Sequence, residues 1–384
     1  MRPSSLATRD YDVVVAGCGP AGAAAALTLA RAGRSVLMLE RSRYDRPRIG
    51  ESLPPAVRSP LMQLGVWEHF LADAHEPSPG TIAVWGDGEP YENNFVFHPY
   101  GRGWHLDRAR FDRMLAAVAA ERGIAVRIDA GVTAVERRSG GWAIEVVEQG
   151  VASRCRARFL LDASGRPAAI ARRHGARRVN RDRLVGLSQL LTPVGKQANC
   201  DRRTLVEATP QGWWYSASLP GSQWIAVFMT DADLLPSRSS WSMYWLSRVR
   251  DAPWTMARLS ACHIGGTPHV SAASSSWLEP VAGPGWLATG DAAMAVDPLS
   301  SQGVSRALTS GIAAAEAIDC CLAGRSAAAV EYAQSLSAAL QRYSVAHAAH
   351  YGRERRWPQA TFWCRRLQAS TTFTSASGPR SIPP

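Results

Sequence analysis

Lysine is all but missing from this sequence of 384 residues: Lys196 is the only one, and every other basic residue is arginine. That bias reads as compositional, but it bears on any chemistry that needs an ammonium group. Cysteine is also sparse, with seven scattered residues and no C-x-x-C or Cys/His spacing suited to zinc, so reduced, buried thiols and no metal site are expected. No apolar run approaches the length of a bilayer span, and the N-terminus lacks a hydrophobic segment ending in a small-residue cleavage site. A cytoplasmic protein without a transmembrane segment is therefore expected. A Lys/Arg-rich tract with interleaved aromatics is missing too. The net charge is +11 and the pI about 9.8, but the arginines are spread along the whole chain, so nucleic acid is not an expected partner. What remains is an ordinary soluble composition, 46% hydrophobic and 20% charged, in a chain long enough for two domains sharing one large core.

The most informative stretch runs from Tyr11 to Glu40. A β-branched apolar run ends at Ala16, Gly17-Cys18-Gly19-Pro20-Ala21-Gly22 follows, and then comes an alanine-rich helical segment. This is Gly-x-Gly-x-x-Gly between a strand and a helix. Gly17 permits the tight turn, Gly19 lets a pyrophosphate approach the backbone, and Gly22 with Ala26 lets the helix lie close on the strand. Pro20 and Ala21 begin the helix, whose free N–H groups receive the phosphates. The run Ser35 to Leu39 is a second buried strand, and Glu40 at its end, followed by Arg41, stands where a ribose-binding acid belongs. The stretch therefore predicts a site for the ADP part of FAD or NAD.

Along the chain, Arg41 to Pro55 is a Pro- and Gly-rich loop, Pro60 to Ala72 has helical spacing, and Thr81 to Phe97 reads as strands around Gly86-Asp87-Gly88. Segments from Trp104 onward return to the nucleotide fold. Within about Arg181 to Ser276 the stretches from Leu184 to Thr230 alternate as antiparallel strands do, and Trp241 to Leu259 has helical character. The predicted fold is α/β (α+β): a discontinuous Rossmann-type FAD-binding domain (10–75, 101–175 and 280–325), an inserted antiparallel-sheet substrate domain (76–100 and 176–279), C-terminal helices (326–370) and a flexible tail (371–384).

Two further stretches, Leu161-Asp162-Ala163-Ser164-Gly165-Arg166 and Gly290-Asp291-Ala292-Ala293, each place a carboxylate and small residues at a strand end. With the glycine turn, in this order, they resemble the flavoprotein monooxygenase superfamily from about Asp10 to Arg366. The resemblance implies that FAD is the cofactor and that Ala163, Gly290 and Asp291 contact it, Asp291 through the ribityl chain. It further implies that Arg48 and Ser52 line the flavin region, that Arg108 meets the cofactor and that Val132 packs by the adenine. Pro298 would lie against the isoalloxazine, with the amides of Gly303 and Val304 at a helix start that stabilises negative charge on the reduced ring.

Within the superfamily, Ile49-Gly50-Glu51-Ser52-Leu53-Pro54-Pro55 and Asp297-Pro298-Leu299-Ser300-Ser301-Gln302-Gly303 look like the tryptophan-halogenase branch. The chain departs from it at the chemical positions. Halogenases carry a lysine where this chain reads Pro77 to Ile82, Glu-Ser-Thr-Gly where it reads Ser300 to Gly303, and Trp-x-Trp-x-Ile-Pro where it reads Trp214 to Pro220. Gly103-Trp104-His105-Leu106-Asp107-Arg108, Gly212-Trp213-Trp214-Tyr215, Thr230-Asp231-Ala232-Asp233 and Arg355-Arg356-Trp357-Pro358 are most similar to maturation flavoproteins of cysteine tryptophylquinone-containing amino-acid oxidases. The resemblance implies an FAD-dependent monooxygenase using molecular oxygen on an aromatic ring, a tryptophan or indole in a polypeptide or on a carrier. Reduction would come from NAD(P)H or a separate flavin reductase. Glu51 and His105 are the candidate acid/base groups, and Trp213, Tyr215, Trp224 and Gln302 the candidate substrate pocket. The competing readings are a halogenase lacking the usual lysine, a lipid or isoprenoid double-bond reductase, and a non-catalytic flavin-bearing maturation chaperone.

Overall fold

The computed structural model describes residues 9–46, 48–194 and 201–372, and these divide into two compact units. The first comprises 9–77, 98–182 and 274–336, and the second 78–97, 183–273 and 337–372. Residues 326–370, expected as a separate set of helices, divide between the two. Of the expected tail, Thr371 and Thr372 belong to the last helix, Thr361–Thr372; the rest lies outside the described residues.

The first unit is built on a sheet in the order Ala282–Gly283, Trp286–Ala288, Val151–Asp162, Arg9–Ala16, Val36–Glu40, Ala125–Ile128, extended by the antiparallel pair Ala130–Arg138 and Gly141–Glu148. Neighbours from Trp286–Ala288 to Ala125–Ile128 run parallel. Central parallel strands are covered on both faces, which is why Val36–Glu40 reads as an unbroken apolar run ending in an acid and is buried at every position. The helix Pro20–Arg31 starts on a proline, whose missing N–H costs nothing there. Its alanines keep it thin. A Cβ on Gly311 would lie 2.2 Å from the Ala21 carbonyl oxygen, so the long helix Gly303–Leu322 packs on Pro20–Arg31 at a distance only glycine allows. A small sheet places Gly103–His105 between Ser52–Leu53 and Glu76–Ser78.

The second unit is a sheet in the order Cys262–His263, Leu184–Pro193, Gln223–Asp231, Gly212–Leu219, Thr204–Thr209, Gly80–Val84, Pro90–Asn94. All its pairs are antiparallel except one, Gly80–Val84 with Thr204–Thr209. The strand Gly212–Leu219 is buried throughout, so both its faces are covered. On one face Trp214 stacks edge-on against Trp245 and tilts against Phe228; on the other, Trp85 packs edge-on against Trp213, Tyr351 and Trp363. Three buried indoles find acceptors: Trp213 Nε1 donates to the Tyr351 hydroxyl at 3.0 Å, Trp245 Nε1 to the Leu187 carbonyl at 3.1 Å, and Trp363 Nε1 to the Thr209 carbonyl at 2.8 Å.

One local expectation changes. The helical stretch Trp241 to Leu259 is two helices, Trp241–Arg250 and Pro253–Leu259, because Pro253 cannot continue a helix but can start one. Asp231 and Asp233, named above only as part of a resemblance motif, are ion-pair anchors: Arg365 donates to both at 2.9 Å and 2.7 Å, and Arg366 to Asp231 at 2.8 Å. The six described cysteines are free, though only Cys18 and Cys155 are buried. No helix among the described residues is long and apolar enough to cross a membrane.

Candidate functional site

The glycine turn is defined by what its backbone leaves no room for. Gly17 has φ +110°, and a Cβ there would lie 2.3 Å from the Ala163 carbonyl oxygen; a Cβ on Gly22 would lie 1.9 Å from that of Gly17. Ala163 is tied to the same turn, its N–H donating to the Ala16 carbonyl at 2.9 Å. At Gly19, by contrast, a Cβ would meet nothing within 4 Å. The first intrahelical bond is from Ala23 N–H to the Gly19 carbonyl, leaving the amides of Ala21 and Gly22 facing that open space. Room at Gly19 and free amides at a helix start fit a pyrophosphate.

Glu40 is buried beside this turn. Its Oε2 accepts from Cys18 N–H at 3.0 Å, and its Oε1 from the Ser42 N–H at 2.9 Å and hydroxyl at 2.6 Å. Oε2 keeps capacity for one more donor, as a ribose hydroxyl requires. Burial first, and the Glu40 carboxylate second, push the Cys18 thiol well up, so this cysteine stays protonated. Gly131 faces Arg41, with 3.9 Å from its would-be Cβ to the Arg41 Cβ, which brings half-buried Val132 to the same edge.

The loop after Glu40 is held by a carboxylate that sequence reasoning missed. Asp112 is fully buried; Arg48 Nη1 donates to it at 2.6 Å and Arg108 Nη2 reaches both its oxygens at 3.4 Å. Arg108 Nη1 also donates to the carbonyls of Ile49 at 2.9 Å and Gly50 at 3.2 Å, and Arg48 Nη2 donates to the Ser42 hydroxyl at 2.5 Å. The only available signal was the Arg108-to-Asp112 helical spacing. Burial works to lower the Arg48 value, but the Asp112 and Glu40 carboxylates outweigh it and raise it above the ordinary range. Arg108 Nε is buried without an acceptor among the described residues. A buried donor aimed at nothing costs about 1–3 kcal/mol, and an acceptor on a bound cofactor removes that cost.

The two candidate acid/base residues lie on adjoining backbone segments. Ser52 pairs with His105 across the strands Ser52–Leu53 and Gly103–His105, and Leu106 N–H donates to the Glu51 carbonyl at 2.8 Å. Both side chains are buried, and the Glu51 carboxylate accepts from Gly50 N–H at 3.0 Å. The carboxylate of the 161–166 motif is structural: Asp162 accepts from Ser164, Ile170 and Ala171 amides at 2.9–3.0 Å and organises its own turn. Gly290 touches the glycine turn, since a Cβ there would lie 2.6 Å from the Ala21 Cβ. Asp291 next to it is half-exposed, with Arg166 Nε 3.7 Å away. The Pro298 loop is pinned by Asp297, whose side chain accepts from Leu299 N–H at 2.9 Å, and turns through Ser301 at φ +50°. The helix then opens at Gly303, where a Cβ meets nothing within 4 Å; its first internal bond is Arg306 N–H to the Gln302 carbonyl, so Gly303 and Val304 amides are free of intrahelical acceptors.

The candidate substrate residues are divided between the two units. Trp213 is 1% exposed inside the aromatic cluster of the second unit, and Trp224 belongs to its core with Leu187 and Trp245; Tyr215 shares the face of Trp213 and is buried. Alternating tryptophans on a strand covered on both sides are core residues. Gln302 is exposed in the first unit. The segment Pro77 to Ile82 holds no lysine, and Lys196 lies outside the described residues.

Comparison with known proteins agrees with this geometry. Residues 10–233 match the FAD binding domain family. The chain is 30% identical to LodB of Marinomonas mediterranea, named for an FAD-dependent oxidoreductase, over 93% of this chain and 96% of LodB. It is 27% identical to a 1H-pyrrole-2-carbonyl peptidyl-carrier-protein brominase of Pseudoalteromonas luteoviolacea, over 96% of both chains. Its fold matches the structure of QhpG, a peptidyl tryptophan dihydroxylase essential for tryptophylquinone cofactor biogenesis, with TM-score 0.75 and 26% identity over 93% of this chain and 78% of that one. The chain thus belongs to the FAD binding domain family and is a flavin-dependent oxidoreductase of the monooxygenase type.

Proposed function

We propose that this enzyme oxygenates the indole ring of a tryptophan held in a partner polypeptide, in the cytoplasm, as a step in making a quinone cofactor. The observation that carries the reading is that Glu51 and His105 are both buried on adjoining backbone segments beside a loop locked by Arg108 and Asp112. An electron-rich ring that gains oxygen must lose the proton on the attacked carbon, and a buried carboxylate or imidazole can take it. FAD would be held by Gly17 to Gly22, Glu40 and Asp291 and would supply the two electrons needed to divide molecular oxygen between a ring hydroxyl and water. Around it the chain's own groups do three things. The glycine turn and Glu40 hold the AMP end, Arg108 Nε donates to the cofactor beside the loop, and the Gly303–Val304 amides receive negative charge at the helix start. The reductant is NAD(P)H, acting directly or through a separate flavin reductase. Likeness to QhpG supports a polypeptide substrate; the brominase, which acts on a carrier-bound ring, supports delivery of an aromatic group on a protein.

The test is reduction of the holoprotein followed by labelled oxygen gas and a tryptophan-containing peptide, with bromide present. Mass gain of labelled oxygen on the indole is expected. Hydrogen peroxide with no labelled product, or a brominated ring, would overturn the reading; the second outcome would favour a halogenase that works without lysine at Pro77 to Ile82.

A further inference from the structure

The second unit carries a surface that the flavin chemistry does not use. An open groove of about 820 Å³ is lined by Trp85, Asp87 and Tyr91 from one segment and by Arg353 and Arg355 near the end of the helix Ala327–Tyr351. Both arginines are exposed, and neither has a carboxylate partner among the described residues. That sets them apart from their neighbours: Arg356 is paired with Glu354 at 2.6 Å, and Arg365 with Asp233 at 2.7 Å. Asp87 is engaged in its own turn, accepting from Glu89 N–H at 3.2 Å. The groove therefore presents two guanidinium groups without a carboxylate partner, the single Asp87 carboxylate and two aromatic faces, a lining of net positive charge.

Tyr91 also belongs to Pro90–Asn94, the last strand of the sheet, which is exposed at all five positions. Its register decides which backbone groups are free. Phe95 N–H donates to the Pro79 carbonyl, and Asn93 and Tyr91 stand opposite Thr81 and Ala83. By the alternation of an antiparallel ladder, Phe95, Asn93 and Tyr91 bond inward while Glu92 and Asn94 turn N–H and C=O outward. Such an edge invites another strand unless charge blocks it. The Glu92 charge is matched by Arg203 at 2.6 Å, so it does not repel an acidic chain. Beyond the strand, Val96 and Phe97 are 75% and 92% exposed.

We infer that this rim docks the partner polypeptide as an added β-strand: an acidic end in the groove against Arg353 and Arg355, backbone bonds along Glu92 and Asn94, and an apolar side chain on Val96 and Phe97. The inference rests on the proposed polypeptide substrate and names where that substrate is gripped. From Tyr91 to Phe97 is at most about 20 Å of extended chain, so the docked segment is six or seven residues long, acidic first and alternating apolar after. Main-chain bonds supply the affinity, and the arginines and Phe97 select the sequence.

The experiment is fluorescence anisotropy on the oxidised holoprotein with a fluorescein-labelled octapeptide of two aspartates followed by alternating valine and threonine. A second peptide carries lysines in place of the aspartates. Neither contains tryptophan, so binding is read independently of oxygenation. The acidic peptide should bind at least about tenfold tighter than the basic one, with an advantage that shrinks as salt rises. R353E/R355E should reverse the preference while retaining bound flavin, and N94P, which removes one outward donor without touching the inward ladder, should weaken both peptides. Equal binding of the two peptides, no binding of either, or an unchanged preference in R353E/R355E overturns the inference. If the acidic peptide docks as described but no oxygen enters a tryptophan peptide, the oxygenase reading falls and the docking surface stands. If R353E/R355E oxygenates a polypeptide with unchanged KM, the docking surface falls and the oxygenase reading stands.

Discussion

His75 makes the stability of the first unit depend on pH in a direction and a range that can be stated. Its side chain is fully buried, packed against the rings of Phe70 at 5.1 Å and Phe111 at 6.1 Å; the Asp73 carboxylate lies 3.7 Å from Nε2, and neither ring nitrogen has a hydrogen-bond partner among the described residues. Burial foremost, and the nearby positive charge of Arg110 second, lower its pKa from 6.5 to about 4. The folded protein therefore holds the neutral ring where the unfolded chain would take a proton. Stability is fully present above the unfolded value of 6.5, declines as pH falls, and is lost below about 4. At about 1.4 kcal/mol per pH unit, that interval corresponds to about 3 kcal/mol. Urea unfolding at about pH 7 and about pH 4.5, followed by tryptophan fluorescence, measures it. His75→Phe keeps an aromatic ring in the cluster and has no proton to gain. Asp12, Asp201 and Asp233 are also held below their ordinary values, so acid destabilises both proteins through them and that part cancels. The wild type should lose about 2–3 kcal/mol more than His75→Phe between the two conditions. Equal losses would refute the reasoning, for they would mean that the buried ring is protonated without penalty.

Three further outcomes follow from the geometry. Gly22→Ala places a Cβ 1.9 Å from the Gly17 carbonyl oxygen, backbone against backbone, so the helix start must shift; the purified protein should lack visible flavin absorbance and fail to regain it when FAD is added. Asp112→Asn leaves the Arg48 and Arg108 guanidiniums without their shared charge, which should cost about 3 kcal/mol in thermal or urea unfolding and weaken FAD binding in a fluorescence titration. Asp231→Asn breaks the buried pair with Arg366 and its bond to Arg365, with a similar loss of about 3 kcal/mol; because the change is confined to the second unit, FAD content should hold.

How much of this could be read from sequence depended on whether an interaction was local. The glycine turn was legible because its constraints act between near neighbours: Gly17, Gly22 and Glu40 all act within one strand–helix–strand unit. Asp162 was visible as a strand-end acid, but its use was not, because its acceptors' donors at Ile170 and Ala171 lie in a turn with no distinctive spacing. Asp112 carries no local mark of burial beyond its spacing from Arg108, because the loop carrying Arg48 folds back onto it from 64 positions earlier in the chain. The pairing of Gly80–Val84 with Thr204–Thr209 joins segments more than a hundred residues apart, and no periodicity encodes it. The burial of Trp213 and Trp224 was not legible for a related reason. A strand rich in aromatics has the same pattern whether one face lines a cavity or both are covered, and here the covering elements, Trp241–Arg250 on one side and the chain around Tyr351 and Trp363 on the other, come from distant parts of the sequence.

The two parts of the cofactor site are held by different forces, and that difference predicts how each fails. Around Gly17, Gly22, Gly290 and Gly311 the backbone closes to distances at which a single methyl group collides, so the AMP end has no graded response: a substituent there displaces a helix or a turn. The loop carrying Glu51 is instead held by charge, through Arg108 on the Ile49 and Gly50 carbonyls and Asp112 beneath both arginines. Charge-assisted bonds weaken by degrees, so conservative changes in this network should leave a folded, flavin-loaded protein with a looser loop. Arg108→Lys is the sharpest case. It keeps the positive charge near Asp112 but cannot span two carbonyls and a carboxylate at once, and it removes the buried Nε donor. If Glu51 and His105 act as a proton-accepting pair, this variant should retain FAD while losing turnover and shifting the pH profile of the reaction; if they serve only to fold the loop, its flavin content and turnover should fall together.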